Sequence, residues 1–240
     1  MEIKKNRWLR LPLLVVAALG PWFLRRLILR WLCGARFGRG AYVGHSFVDT
    51  DKLELGIHAA IGSLNCFRNV RAIRMGEFAV IGNLNWCTGE SPGQLSDGLA
   101  HRGQVLPRGQ LTLGAGAVLT SRHYIDLHAD INIGRMSLIA GVRSTALTHS
   151  VDIKGGCQKS LPILIGEFVF VGTNCILLPG TVVADHCVVG AGALVRGKLE
   201  RKYALYGGVP ARLIGEIPAE AKFFTRCDSV IHWGSEQGPV

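Results

Sequence analysis

No two of the seven cysteines stand in a CxxC pair; they are odd in number and scattered along the chain. That distribution excludes a disulfide or zinc framework and fits free thiols in a reducing compartment. Acidic residues are nearly absent from the first 40 positions, where Glu2 alone faces Lys4, Lys5, Arg7, Arg10, Arg25, Arg26, Arg30, Arg36 and Arg39. This segment holds +8 of the formal +10, leaving +2 for the other 200 residues. A nucleic-acid binder spreads its basic residues over a folded face, so that class of partner is not expected. The N-terminal uncharged run, Leu11 to Leu24, covers 14 residues and is broken at Gly20-Pro21. A spanning helix needs about 20. Charged residues make up only 18% of the chain, yet its apolar content leaves no segment that reads as disordered.

What is present is a period of six. From Ile165 an aliphatic residue recurs at Val171, Leu177, Val183, Val189 and Val195. Gly166, Gly172, Ala184 and Gly190 follow four of these, with Leu178 and Arg196 after the other two. Four places after each aliphatic stands Val169, Cys175, Thr181, Cys187, Ala193 or Leu199, mostly small or slender. Six matches neither the helical 3.6 nor the strand period of 2. It is the hexapeptide signature of a parallel β-helix, in which three hexads make one triangular coil. The expected fold is mainly β, a left-handed parallel β-helix with an N-terminal helical segment and a short C-terminal helix and tail. Cys175 and Cys187 fall at the slender interior position, which argues against either as a nucleophile.

The same step reads upstream at Val43, Val48, Leu55, Ile61, Met75 and Ile81, with a slip at Asp49-Thr50. It is lost over 88–110, where Gly, Pro, Ser and Gln replace the aliphatics, and returns at Leu113, Leu119, Ile125, Ile131, Ile133 and Ile139. Val151 to Ile165 is two residues longer than two hexads, so a second excursion is expected over 152–161. Long excursions from regular scaffolds often shape binding sites. The chain divides into an N-terminal segment (1–35), a β-helix domain (36–213) and a tail (214–240). Within the tail, AEAKFFTR reads as a short helix and SVIHW as a last strand.

The N-terminus pairs the apolar run with RRLILRWL, Arg25 to Leu32, where basic and apolar residues alternate beside Trp22, Phe23 and Trp31. A helix, a break and a second amphipathic helix lying on a membrane surface fit this pattern. A signal peptide and a helix packed on the protein's own coil are the other two readings.

THS at 148–150, LPILIG at 161–166, VGTNCILLPGTVVADHCVVGAGALV at 171–195 and GGVPARLIG at 207–215 resemble the hexapeptide-repeat O-acetyltransferases. The order is similar to the maltose and galactoside acetyltransferases and to those of bacterial exopolysaccharide and capsule synthesis. The resemblance implies a homotrimer with sites between subunits and acetyl-CoA as donor. It puts the catalytic histidine at His149, and CoA contacts near Gly172, Thr173, Ala191, Gly192, Arg196 and Arg212. The chain departs from the family at Val209, where an Asn is usual, and over 193–197. The sugar acetyltransferases' N-terminal substrate cap is replaced by the apolar, basic segment.

Acetyl transfer to a hydroxyl needs a base for its proton, and histidine suits this near neutral pH. HYIDLH offers His123 or Asp126 to orient His149 or hold the acceptor, and Asn85 and Trp86 are further acceptor-site candidates. No metal is expected. The expected function is therefore O-acetylation of a sugar hydroxyl on a glycan or lipid-linked glycan precursor. It would take place in the cytoplasm at the inner membrane surface, through residues 1–32. A zinc hydratase of the γ-carbonic-anhydrase kind, with His123, His128 and His149 as ligands, and a non-enzymatic trimeric scaffold are the alternatives.

Overall fold

The structure is a computed structural model that describes residues 7–89 and 108–228. Short parallel strands recur on three faces. The first face stacks Tyr42–Val43, Ala60–Ile61, Val80–Ile81, Val118–Leu119, Leu138–Ile139, Phe170–Val171, Cys187–Val189 and Ala204–Gly207. The second carries Trp86–Thr88, Tyr124–Asp126, Thr145–Ala146, Ile176–Leu177 and Leu194–Val195. The third carries Gln110–Leu113, Ile131–Ile133, Ile163–Ile165, Val182–Val183 and Lys198–Leu199. Each strand pairs with the equivalent strand one coil away, so the fold is the parallel β-helix that the hexads imply. Near its start, Phe47–Leu55 and Cys66–Met75 run through the corner between the second and third faces, joining them into one 13-stranded sheet. The register between these two strands shifts between Val48 and Thr50, where the sequence period slips.

The aliphatic hexad positions fill the interior. Val171, Leu177, Val183, Val189 and Val195 are buried, as are the slender residues Val169, Cys175, Thr181, Cys187 and Ala193. Burial pushes the Cys175 thiol up from its usual value, which makes it a poor thiolate. All seven cysteines are free. Glycines at the corners let successive coils approach. A methyl group on Gly134 would strike the carbonyl of Gly166 in the next coil. One interior corner holds a polar ladder. Asn85 Oδ1 accepts from the backbone N–H of His123 (2.9 Å), His123 Nδ1 from that of Ser144 (3.1 Å), and Ser144 Oγ from that of Cys175 (3.1 Å). Each side chain thus satisfies the next coil's corner N–H, a donor that would otherwise be buried unpaired.

Two helices close the N-terminal end. α1 spans Arg7–Leu19 and α2 spans Trp22–Cys33, separated by Gly20-Pro21. Leu14, Leu29, Leu32 and Cys33 are buried in the core that continues into the first coil. Arg25 is 1% exposed and, among the described residues, has no carboxylate partner. Its guanidinium instead donates to the carbonyls of Ala17 (3.0 Å), Gly20 (2.6 Å) and Val43 (2.6 Å), tying the end of α1 to the coil. Arg10 reaches Asp49 at 3.0 Å. The N-terminal segment is therefore a cap on the protein's own β-helix, and among the described residues no helix is long and apolar enough to cross a membrane. Its outer side leaves Val15, Val16, Leu19, Phe23, Leu27 and Trp31 exposed.

At the other end, Arg212–Glu216 folds back antiparallel on Ala204–Gly207, across the expected boundary at 213. The short helix α3, Lys222–Thr225, places Phe224 edge-on to His186 and Tyr203. Those two rings continue a stack with Phe168 along a corner where the chain takes left-handed backbone angles. The expected last strand, SVIHW, and most of the 88–110 excursion lie outside the described residues.

Candidate active site

The second and third faces meet along an edge where the chain repeatedly leaves the coil. There, residues 152–161 are not an irregular loop: His149–Asp152 and Cys157–Ser160 form an antiparallel hairpin. His149 stands at its base, paired with Ser160. Leu161 returns the chain to the coil and lies over Gly180 of the following corner.

One coil earlier, the strand Tyr124–Asp126 ends on the same edge. The Asp126 carboxylate is buried there, and its Oδ2 accepts from the backbone N–H of Thr148 (2.8 Å) and of His149 (3.1 Å). The His149 ring joins them, with Nδ1 at 2.7 Å from the same oxygen. Because a carboxylate only accepts, Nδ1 carries the proton and Nε2 presents its lone pair. Oδ1 accepts from Nδ1 of His128. Burial pushes the Asp126 carboxyl up, but the hydrogen bonds from His128 and His149 and the nearby His128 charge outweigh it and hold the group at about 2. The side chain of His149 is 34% exposed and that of His128 11%, while Asp126 beneath them is at 2%. The two rings lie 3.9 Å apart between centroids, tilted by 38°. A half-exposed imidazole with a fixed tautomer on a buried carboxylate can take a proton from a hydroxyl.

The structure brings Asp126 and His149 together. It sends His123 elsewhere: 2% exposed, it is bound through Nε2 to Thr120 (2.8 Å) and through Nδ1 to Ser144. Burial lowers its pKa to about 4, so it is a neutral rung of the interior ladder. The reading of His123 as an orienting group or a zinc ligand is corrected on that ground. Asn85, 1% exposed and bound to Thr120 and His123, belongs to the same ladder and does not face an acceptor. Trp86 does point outward, 51% exposed, in register with Tyr124 on the next coil. The Tyr124 hydroxyl lies 3.5 Å from Thr88, which pairs with Asp126. His128, weighed in the sequence only as a metal ligand, is the residue whose part was missed. Its i, i+2 spacing from Asp126 was the signal. Asp126, His128 and His149 bring their donor atoms within 4.8 Å of one another. In the arrangement described, the Nδ1 donors of both rings are engaged by the carboxylate.

The expected CoA contacts flank the last coils of the second face. Gly172 and Thr173 sit tightly under Ala191 and against Val142. Ala191 and Gly192 are exposed above them, with open space over Gly192. Arg196 is exposed on the far edge of the face, the edge that also bears His149 two coils earlier. Arg212 is exposed just after Ala211, whose N–H bonds Leu194 at 2.8 Å.

Coils, corners and hairpin define a parallel β-helix protein. Residues 162–197 match the family model "Bacterial transferase hexapeptide (six repeats)". The chain resembles a putative lipopolysaccharide biosynthesis O-acetyl transferase, WbbJ, of Escherichia coli K12, at 35% identity over 68 residues, 28% of this chain and 34% of that protein. It also resembles the galactoside O-acetyltransferase of the same organism, at 33% over 98 residues, 39% of this chain and 48% of that protein. The chain thus spans less than half the length of these curated relatives. Among solved structures, the polysialic acid O-acetyltransferase OatWY shares the fold with a TM-score of 0.55 at 14% identity, over 76% of this chain and 84% of that one. AntD, an N-acyltransferase from Bacillus cereus solved with dTDP and 3-hydroxybutyryl-CoA, gives a TM-score of 0.51 at 13% identity, over 84% and 93%.

Proposed function

We propose that the protein is an O-acetyltransferase that moves acetyl from acetyl-CoA to a sugar hydroxyl of a glycan or lipid-linked glycan precursor. The observation that carries this reading is the His149–Asp126 pair, with Nδ1 fixed on the carboxylate and Nε2 available at the mouth of the hairpin. Nε2 takes the acceptor hydroxyl's proton as its oxygen attacks the thioester carbonyl. Asp126 stays ionised and supports the imidazolium that forms, as its low pKa permits. Collapse of the tetrahedral adduct expels CoA thiolate, which takes the proton back from His149. In this reading the acetyl group passes directly from CoA to the hydroxyl, with Cys175 and Cys187 buried in the coil and out of reach as carriers.

The O-acetyltransferase relatives support the reaction class. The exposed guanidinium groups of Arg196 and Arg212 suit the phosphates of CoA, with the open backbone at Ala191 and Gly192 alongside. In this reading Gly172 and Thr173 contribute backbone groups only. The molecule works as a homotrimer, the outward residues Trp86, Tyr124 and Ile176 supplying apolar surface along one face. The helical cap rests on the cytoplasmic leaflet of the inner membrane, through its exposed apolar residues and the basic residues around them.

The test is acetyl-CoA turnover on a panel of bacterial glycan precursors, comparing wild type with His149→Ala. Transfer falls by about 10²-fold or more in the variant while CoA binding persists. Transfer that survives the substitution overturns the assignment of the base, and absence of CoA binding in both proteins overturns the reaction.

A further inference from the structure

We infer that His128 is a positioning residue for His149, acting through the carboxylate that the two imidazoles share. The inference rests on His149 being the base of the proposed reaction. Asp126 is buried and has two oxygens to satisfy. Oδ2 receives the Thr148 and His149 backbone N–H groups and the His149 ring. Oδ1 receives the His128 ring. A carboxylate anchored through one oxygen only can turn about its terminal torsion, and that turn would carry Oδ2 out of line with His149 Nδ1. The His128 donor opposes the turn. It also keeps Oδ1 from being a buried acceptor without a partner.

The second contribution is steric. The His128 ring stands 3.9 Å from that of His149, close enough to obstruct rotation of the catalytic imidazole about its own axis. Such a rotation would exchange Nδ1 for another ring atom at the carboxylate and remove the base from its orientation. Two features of one residue, a donor on the far oxygen and a ring against the near face, therefore hold a single tautomer and a single pose. His128 reaches this place because the strand ending at Asp126 turns the corner within two residues, through buried Leu127. Thr148 reinforces the turn, its Oγ1 accepting from the N–H of Ala129 at 3.0 Å.

The two features separate by substitution. His128→Asn puts an amide donor near the place of Nδ1 without the ring, and His128→Phe keeps a ring against His149 without the donor. The readouts are the imidazole ¹⁵N shifts of His149 in the full chain, which report which nitrogen is protonated, and the steady-state constants. His128→Phe is expected to lose the Nδ1–H signature and to lower kcat about tenfold or more, with the KM for acetyl-CoA held within about twofold. His128→Asn is expected to restore the signature and most of kcat. A His128→Phe protein with the wild-type tautomer and wild-type kcat overturns the inference, as does equal damage by both substitutions with His149 unchanged in its spectrum. Should no acceptor be acetylated by the wild type, the proposed reaction fails, while the ¹⁵N signature still decides whether His128 positions His149.

Discussion

At the scale of single residues, Asp126 does the most. A carboxylate with two acceptor oxygens gathers the His128 imidazole of its own coil and, from the neighbouring coil, the His149 imidazole and two backbone N–H groups. An amide has one acceptor oxygen and would point its NH₂ at one of these donors. Asp126→Asn should therefore cost about 10²-fold in kcat, measured at saturating acetyl-CoA, with less effect on KM. The same group links stability to acid. Its pKa falls from the usual 3.8 to about 2 on folding, so the folded protein binds this proton less readily than the unfolded chain does. The stabilisation is then fully present above about 4 and is lost as pH falls toward 2. Denaturation of wild type and Asp126→Asn should show a gap at pH 5 that narrows steadily below pH 4; a gap independent of pH would refute the linkage. His149 stood out in the sequence through the family resemblance and its place before the excursion, and Asp126 only as one of two candidates in HYIDLH, beside His123. His123 and Asn85 were misread because polar side chains in a β-helix need not face out. Corner N–H groups require acceptors inside, and the hexad pattern does not say which polar residue supplies them.

At the scale of elements, the helical hairpin depends on Arg25. Its guanidinium meets three carbonyls and is almost wholly enclosed. Arg25→Met keeps the stem but strands those acceptors, and a loss of about 2–4 kcal/mol is expected in urea denaturation. Arg25→Lys should recover little of it, since one ammonium cannot match the spread of a planar fork. The break at Gly20-Pro21 and both helices were readable, because proline and helical periodicity are local signals. Their docking was not. The same apolar, basic composition serves a membrane surface or a cap. What decided was the open end of the first coil, which leaves Val43 and Val48 to be covered. The hairpin at 149–160 was visible only as two extra residues in the count, since its own strand sequences are nearly all exposed and carry no hydrophobic alternation.

At the scale of the whole molecule, the cap sets how a membrane test must be made. Removing residues 1–32 would take Leu14, Leu29 and Leu32 out of the core and uncover the first coil, so loss of membrane binding in that deletion would confound unfolding with detachment. Replacing Phe23, Leu27 and Trp31 by serine alters the exposed side alone. Sedimentation with anionic vesicles should then fall about tenfold or more, with the circular dichroism of the β-helix unchanged. Binding that persists would assign the exposed residues to another contact. Light scattering on the full chain is expected to return three copies, and a monomer that turns over acetyl-CoA would place the whole site within one chain.

The sequence by itself determined the coil. A six-residue period with aliphatic, small and slender positions leaves few ways to bury its apolar residues, and a prism of stacked rungs satisfies every hexad with the same local geometry. It also determined where the coil is interrupted. Only the tertiary structure decided which polar residues meet at the interruption. Asp126, His128 and His149 come together because one coil lies on the next at the edge where the hairpin leaves, whereas His123, three residues from Asp126, turns inward to a backbone N–H. Sequence spacing fixes a residue's place along the rung. The choice between the interior ladder and the open edge depends on which donors the neighbouring coil leaves unpaired, and that is known only once the coils are stacked.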